Sequence, residues 1–114
     1  GAGPEVIENF CGDIDFAAEL DSGAGRIDVN NLGNVPLYGL DIRKRDSGSE
    51  ESFGIAVFGS GLAAGASGSA DISLSSGVNV GDELIALPVI LGETEEYRKP
   101  YTCAEEFGEL ITVV

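Results

Sequence analysis

The chain predicts an all-β fold, an antiparallel sandwich of about eight short strands. Three observations carry that expectation. Apolar and polar residues alternate with period two in several short runs. Clusters of Gly, Asn, Asp and Ser separate the runs. No stretch of ten residues holds a helical pattern of caps and apolar spacing. The clearest case is residues 27–42. Ile27 and Val29 alternate with Asp28 and Asn30, and Tyr38, Leu40 and Ile42 alternate with Gly39, Asp41 and Arg43. Between them lie Asn31, Gly33 and Asn34. These residues tolerate positive φ, and Asn side chains can bond their own backbone, so a turn forms at low cost.

Taken in order, residues 4–10 read as a helical stub, with Pro4 in the first helical position and Val6, Ile7 and Phe10 on one face. Residues 13–20 are a first strand, with Ile14, Phe16, Ala18 and Leu20 on one side. A turn at 21–25 leads into a second strand at 26–30. The third strand covers 37–45 and ends in Arg43, Lys44 and Arg45, half of the six basic residues. This triplet is expected to be a solvated strand end beside acidic neighbours. A fourth strand covers 53–58. Residues 59–70 are nearly all Gly, Ala and Ser, so little is there to bury, and a long flexible loop or hairpin tip is expected.

Ala70, Ile72 and Leu74 suggest a fifth strand. Residues 83–91 are the most apolar run and the best candidate for a central strand. Pro88 within it donates no ladder hydrogen bond, so a bulge, a sheet switch or an edge is expected there. A weaker strand at 96–103 and a closing one at 107–114 complete the set. The predicted interior holds Phe16, Ile27, Val29, Leu40, Ile42, Ile72, Leu87 and Leu110.

The length of 114 residues suits one domain with one modest core. Residues 1–12 are expected to be a trimmed boundary or expression scar followed by the helical stub and linker, and 13–114 the sandwich. Twenty acidic residues against six basic ones give a formal charge of −14. That field repels nucleic acid and anionic lipid, and it attracts cations and basic surfaces. No apolar run of 18 residues or more is present, so no spanning helix is predicted.

Candidate chemistry is sparse. His is absent, which removes the commonest general base, and no nucleophile elbow accompanies the serines. Gly59, Gly61 and Ala64 match the spacing of a dinucleotide-binding loop after a strand. The helix that must follow would contain Gly65, Ser67, Gly68 and Ser69, so no nucleotide site is expected. The carboxylate pairs Asp13/Asp15, Glu50/Glu51, Glu95/Glu96 and Glu105/Glu106 lack a calcium-loop pattern. No catalytic, cofactor-binding or metal-ligating residue is assigned.

The two cysteines, Cys11 and Cys103, stand near opposite ends without a metal-knuckle spacing. A bridge between them would close a loop of about 90 residues, worth on the order of 4–5 kcal/mol in the chain-entropy model. The alternative is two separately buried thiols. A bridge implies an oxidising, extracytoplasmic setting.

The order of these pieces resembles a known family. An early Cys11 is followed by Ile-x-Val-x-Asn-x-Gly-Asn-Val-x-Leu-x-Gly-Leu-x-Ile-Arg at 27–43. Gly-Asp-x-Leu-x-x-Leu-Pro-Val-Ile follows at 81–90, and Tyr-Thr-Cys at 101–103 precedes an apolar end. The pattern is similar to the globular C-terminal domain of archaeal archaellins and type IV pilin-like proteins. The Asn-x-Gly-Asn turn is also similar to CARDB-type and other immunoglobulin-like adhesion modules, and a Cys11–Cys103 pair fits both. The resemblance implies an immunoglobulin-like sandwich outside the cell, carried by an N-terminal hydrophobic helix that this chain lacks. It implies a non-enzymatic filament or cell-surface structural domain, with sister subunits or other surface proteins as partners and membrane contact only through the removed helix. The alternative is an adhesion or ligand-binding module of a larger surface protein, with calcium binding included.

Overall fold

The computed structural model describes residues 7–44, 52–73, 78–93 and 98–114. A 3₁₀ helix at Ile7–Asp13 precedes eight strands. These are β1 (Phe16–Asp21), β2 (Arg26–Asn31), β3 (Leu37–Lys44), β4 (Ser52–Leu62), β5 (Ser67–Asp71), β6 (Glu83–Glu93), β7 (Arg98–Thr102) and β8 (Glu109–Thr112). A second short 3₁₀ turn, Glu105–Phe107, joins β7 to β8.

The strands form two antiparallel sheets packed as a sandwich. One has the order β1-β2-β5. The other has the order β4-β3-β6-β7, with β8 also paired to β6. Consecutive strands therefore cross between sheets three times, at β2–β3, β4–β5 and β5–β6, an immunoglobulin-like arrangement. The period-2 pattern sets which residues face inward. Phe16 and Leu20 of β1, Ile27 and Val29 of β2, Leu40 and Ile42 of β3, Ala56 of β4, and Leu84 and Ala86 of β6 meet in one buried cluster.

One flank of the sandwich is closed by backbone bonds. Val114 N–H donates to the Leu20 carbonyl at 2.9 Å, and Ser22 N–H donates to the Val114 carbonyl at 2.9 Å. The chain end thus runs parallel to the end of β1, with Leu20 opposite Val113.

Pro88 lies inside the larger sheet, opposite Leu40 of β3. Its carbonyl accepts from Cys103 N–H at 2.9 Å. In an extended strand the N and O of one residue face the same neighbour, so the proline nitrogen also faces the β7/β8 side. There β6 changes partner, from β8 at 83–86 to β7 at 89–93. The missing donor falls in the gap between two partners, so Pro88 is accommodated by a change of neighbour within one sheet rather than by the bulge, sheet switch or edge expected at this residue.

Three expectations are corrected. The 3₁₀ helix runs through Asp13, so β1 begins at Phe16 rather than 13. The Gly/Ala/Ser stretch is not a long loop: β4 continues to Leu62 and β5 starts at Ser67, leaving 63–66 as the connection. There Gly68 and Ala70 alternate with Ser67, Ser69 and Asp71, and small residues suffice for a strand because β2 supplies the ladder. The fifth strand is accordingly displaced toward the N-terminus from the predicted 70–74. Lastly, Leu110 is half exposed, while Ile111 and Val113 are buried. Leu110 and Ile111 are both apolar, so the alternation had two phases. Pairing of Ile111 with the inward Leu84 selects the other one. The remaining seven predicted interior residues are buried.

Candidate functional site

The two cysteines meet. Cys11, in the 3₁₀ helix, and Cys103, just past β7, form a disulfide with S–S 2.03 Å and Cα–Cα 5.8 Å across a separation of 92 residues. Cys103 N–H donates to the Pro88 carbonyl of β6, and the Cys11 carbonyl accepts from Ile14 N–H. Both cysteines are buried with Ile90, and Phe10, Ile14, Val35, Tyr101 and Phe107 pack around them. This is a second, smaller core, distinct from the main cluster. The bridge closes it over the point where the chain enters the domain.

A polar residue that the sequence reading treated only as a turn residue proves to be interior. Asn31 is 1 % exposed. Its Nδ2 donates to the carbonyls of Val35 at 2.9 Å and Leu62 at 3.0 Å, and its Oδ1 accepts from Gly33 N–H at 3.1 Å. Its backbone bonds to Ala66 and Gly65. One side chain therefore fastens the β2–β3 turn to the β4–β5 connection. The signal was available: Asn31 continues the inward phase of Ile27 and Val29, so an Asn there needs buried partners.

Arg43 faces back onto its own sheet. Its Nε and Nη2 donate to Asp41 Oδ2 at 3.1 and 2.9 Å. Ser52 Oγ donates to the other carboxylate oxygen. Asp41 is 3 % exposed, so this carboxylate is buried but fully engaged. Lys44 is the last residue of β3, and Arg45 lies outside the described residues.

The outer face of the three-stranded sheet forms a shallow open trough of about 510 Å³. Ala17, Asn30 and Ser67 form one cross-strand row, and Glu19, Asp28 and Ser69 the next. Ser67 donates to Asn30 Oδ1 and Ser69 to Asp28 Oδ1. Arg26 pairs with Asp28 at 3.3 Å. The trough is polar and small-featured, with its hydrogen-bonding groups largely spent on each other.

The segment resembling a dinucleotide loop is strand. Gly59 has φ of 60° and Gly61 of 111°. The pairing jumps between Leu37↔Leu62 and Gly39↔Val57, so these glycines form an irregularity in β4. Among the carboxylate pairs, Asp13, Asp15, Glu105 and Glu106 are exposed, and Glu50, Glu51, Glu95 and Glu96 lie outside the described residues. Among the described residues no group of three His, Cys, Asp or Glu is placed to hold a metal ion. No helix among them is long and apolar enough to cross a membrane.

Comparison with protein-family models, with curated proteins and with solved structures finds no match to this chain.

Proposed function

We propose that this is a non-enzymatic extracellular domain of a pilin-like filament subunit or cell-surface structural protein. The single observation that carries the reading is the Cys11–Cys103 bridge. A buried disulfide linking positions 92 residues apart suits a compartment where thiols are oxidised. It joins the entering chain to the end of β7, while backbone bonds fasten the chain after β8 onto β1. Tension applied at the entry passes into a covalent cross-link rather than peeling β1. The acidic surface, at a formal charge of −14, keeps such a domain soluble when displayed. Its partners are sister subunits or other surface proteins.

The test is protease shaving and immunogold labelling of intact source cells with antibody raised against the domain. Labelling of filaments or the cell surface is the expected result. Label confined to the cytoplasm of permeabilised cells contradicts the proposal. A second reading is an adhesion or ligand-binding module, whose contact surface would be the outer face of the three-stranded sheet, at Ala17, Glu19, Asp28, Asn30, Ser67 and Ser69. A glycan and peptide array that gives a hit abolished by Ser69→Trp would support it over a purely structural role.

A further inference from the structure

Strand β4 is the end strand of the larger sheet, and β3 is its paired neighbour among the described residues. The orientation of its backbone follows from Pro88. That residue turns its carbonyl to Cys103, away from β3, so Leu40↔Pro88 is a non-hydrogen-bonded pair. Leu40 therefore directs its own N–H and C=O to β4, toward Ala56. By alternation Ala56 and Gly54 face β3, and the N–H and C=O groups of Ile55 and Val57 point out along the free edge. The same two residues carry the exposed side chains of the outer face, at 56 % and 44 %.

The other outer strands carry the usual edge protection. β7 includes Arg98, Lys99 and Pro100, β5 ends in Asp71, and β1 carries Glu19 and Asp21 and is bonded to the chain end. Charges and proline on an edge strand discourage pairing with another chain. β4 has neither in its 11 residues. Its protection is an irregularity on either side, one at Gly59 and Gly61 and one between Gly54 and Ser52, which leaves 54–57 as the regular open stretch among the described residues.

We propose that β4 is a self-association edge, pairing antiparallel with β4 of a second copy about a two-fold axis at Ile55. The register follows from the free groups: Ile55 stands opposite Ile55 of the second copy, with position 54 opposite position 56 on either side. A second copy is the occupant because the seam is free of charge. Two chains of charge −14 repel wherever their acidic surfaces meet, and this strand lets them touch without a charged pair at the contact. An antiparallel two-fold makes the strand its own complement, and it brings Ile55 and Val57 of both copies into one apolar row. The inference goes beyond the proposed function and stands on different residues, so it survives if the cellular placement is wrong.

Salt distinguishes this partner from others. Screening of like charges strengthens association of two copies, whereas it weakens docking of a basic partner. Sedimentation velocity on the purified oxidised domain, in low and high sodium chloride, is the test. The expected result is a concentration-dependent species of twice the 11.7 kDa monomer mass that grows with salt, and its loss in I55K and V57K. A second readout does not depend on those variants folding. Ile55→Cys should cross-link to itself on mild oxidation, since directly opposed residues of a hydrogen-bonded pair lie about 5.5 Å apart. Val80→Cys, at a site 72 % exposed on another part of the surface, should not. A monomer at all concentrations and salts overturns the proposal. So does a dimer that survives both lysine variants, or equal cross-linking at position 80.

Discussion

Asn31 donates an amide hydrogen to the carbonyl of Leu62, 31 residues further along the chain, at 3.0 Å. The same nitrogen serves Val35, so one buried side chain holds two loops from different parts of the fold. Asn31→Ala strands two carbonyls and the Gly33 N–H without their partner. A buried polar group left unpaired costs about 1–3 kcal/mol. Urea unfolding should therefore show a loss of unfolding free energy of that size, read as a lower midpoint with an unchanged slope. Asn31→Asp keeps the acceptor for Gly33 but loses the donor, so it should be at least as damaging.

A second expectation contrasts two glycines. A Cβ added at Gly39 would lie 2.3 Å from the backbone carbonyl of Ala56. Backbone of a paired strand cannot step aside, so Gly39→Ala should separate β3 from β4 locally. At Gly108 the obstacles are the ends of the Ile85 and Leu87 side chains, at 2.7–2.8 Å. These can rotate. Thermal unfolding should show Gly39→Ala destabilised at or above the upper end of the roughly 1–3 kcal/mol range for overpacking, and Gly108→Ala near its lower end.

The alternation of apolar and polar residues was enough to read the sheets, because each buried strand turns a two-residue period into a face. Ile27, Val29, Leu40 and Ile42 are inside for that reason. Where alternation was weak, partners decided. Leu110 and Ile111 offered both phases, and Leu84 chose between them. Ser67–Asp71 had too little apolar content to signal a strand, yet the β2 backbone and the side chains of Asp28 and Asn30 complete it. Counting limited the cysteines to one possible bridge but left two separately buried thiols open, and it is the 5.8 Å approach of their Cα atoms that pairs them. The open edge at β4 was not legible, because an edge is defined by which strands are neighbours and not by the strand itself.

The buried Asp41 carries a third prediction. It accepts two bonds from Arg43 and one from Ser52. Asp41→Ala leaves the Arg43 guanidinium, whose side chain is 23 % exposed, without its counter-charge. The loss is moderated by that partial contact with water. A drop of about 1–3 kcal/mol in unfolding free energy is expected. Adding Arg43→Leu should recover part of it, because the second change removes the unpaired charge. A double-mutant cycle by urea titration measures both quantities.

The bridge between Cys11 and Cys103 supports the account at its centre. Cys11→Ala should lower stability by a few kcal/mol, on the order of the loop-closure term. Hydrogen exchange should show protection lost first at Ile7–Asp13 and β1, with β3 and β6 affected last. That ranking follows from where the bridge attaches.

Peptide mass analysis of the unreduced protein, digested with trypsin while the thiols are blocked, tests the claim most directly. Cleavage after Arg26 and Arg98 leaves Cys11 in peptide 1–26 and Cys103 in peptide 99–114. The account predicts one linked mass for these two peptides, no blocked thiol before reduction, and two after it. Two separate peptides, each carrying the blocking group, would contradict it and remove the ground for an extracellular placement.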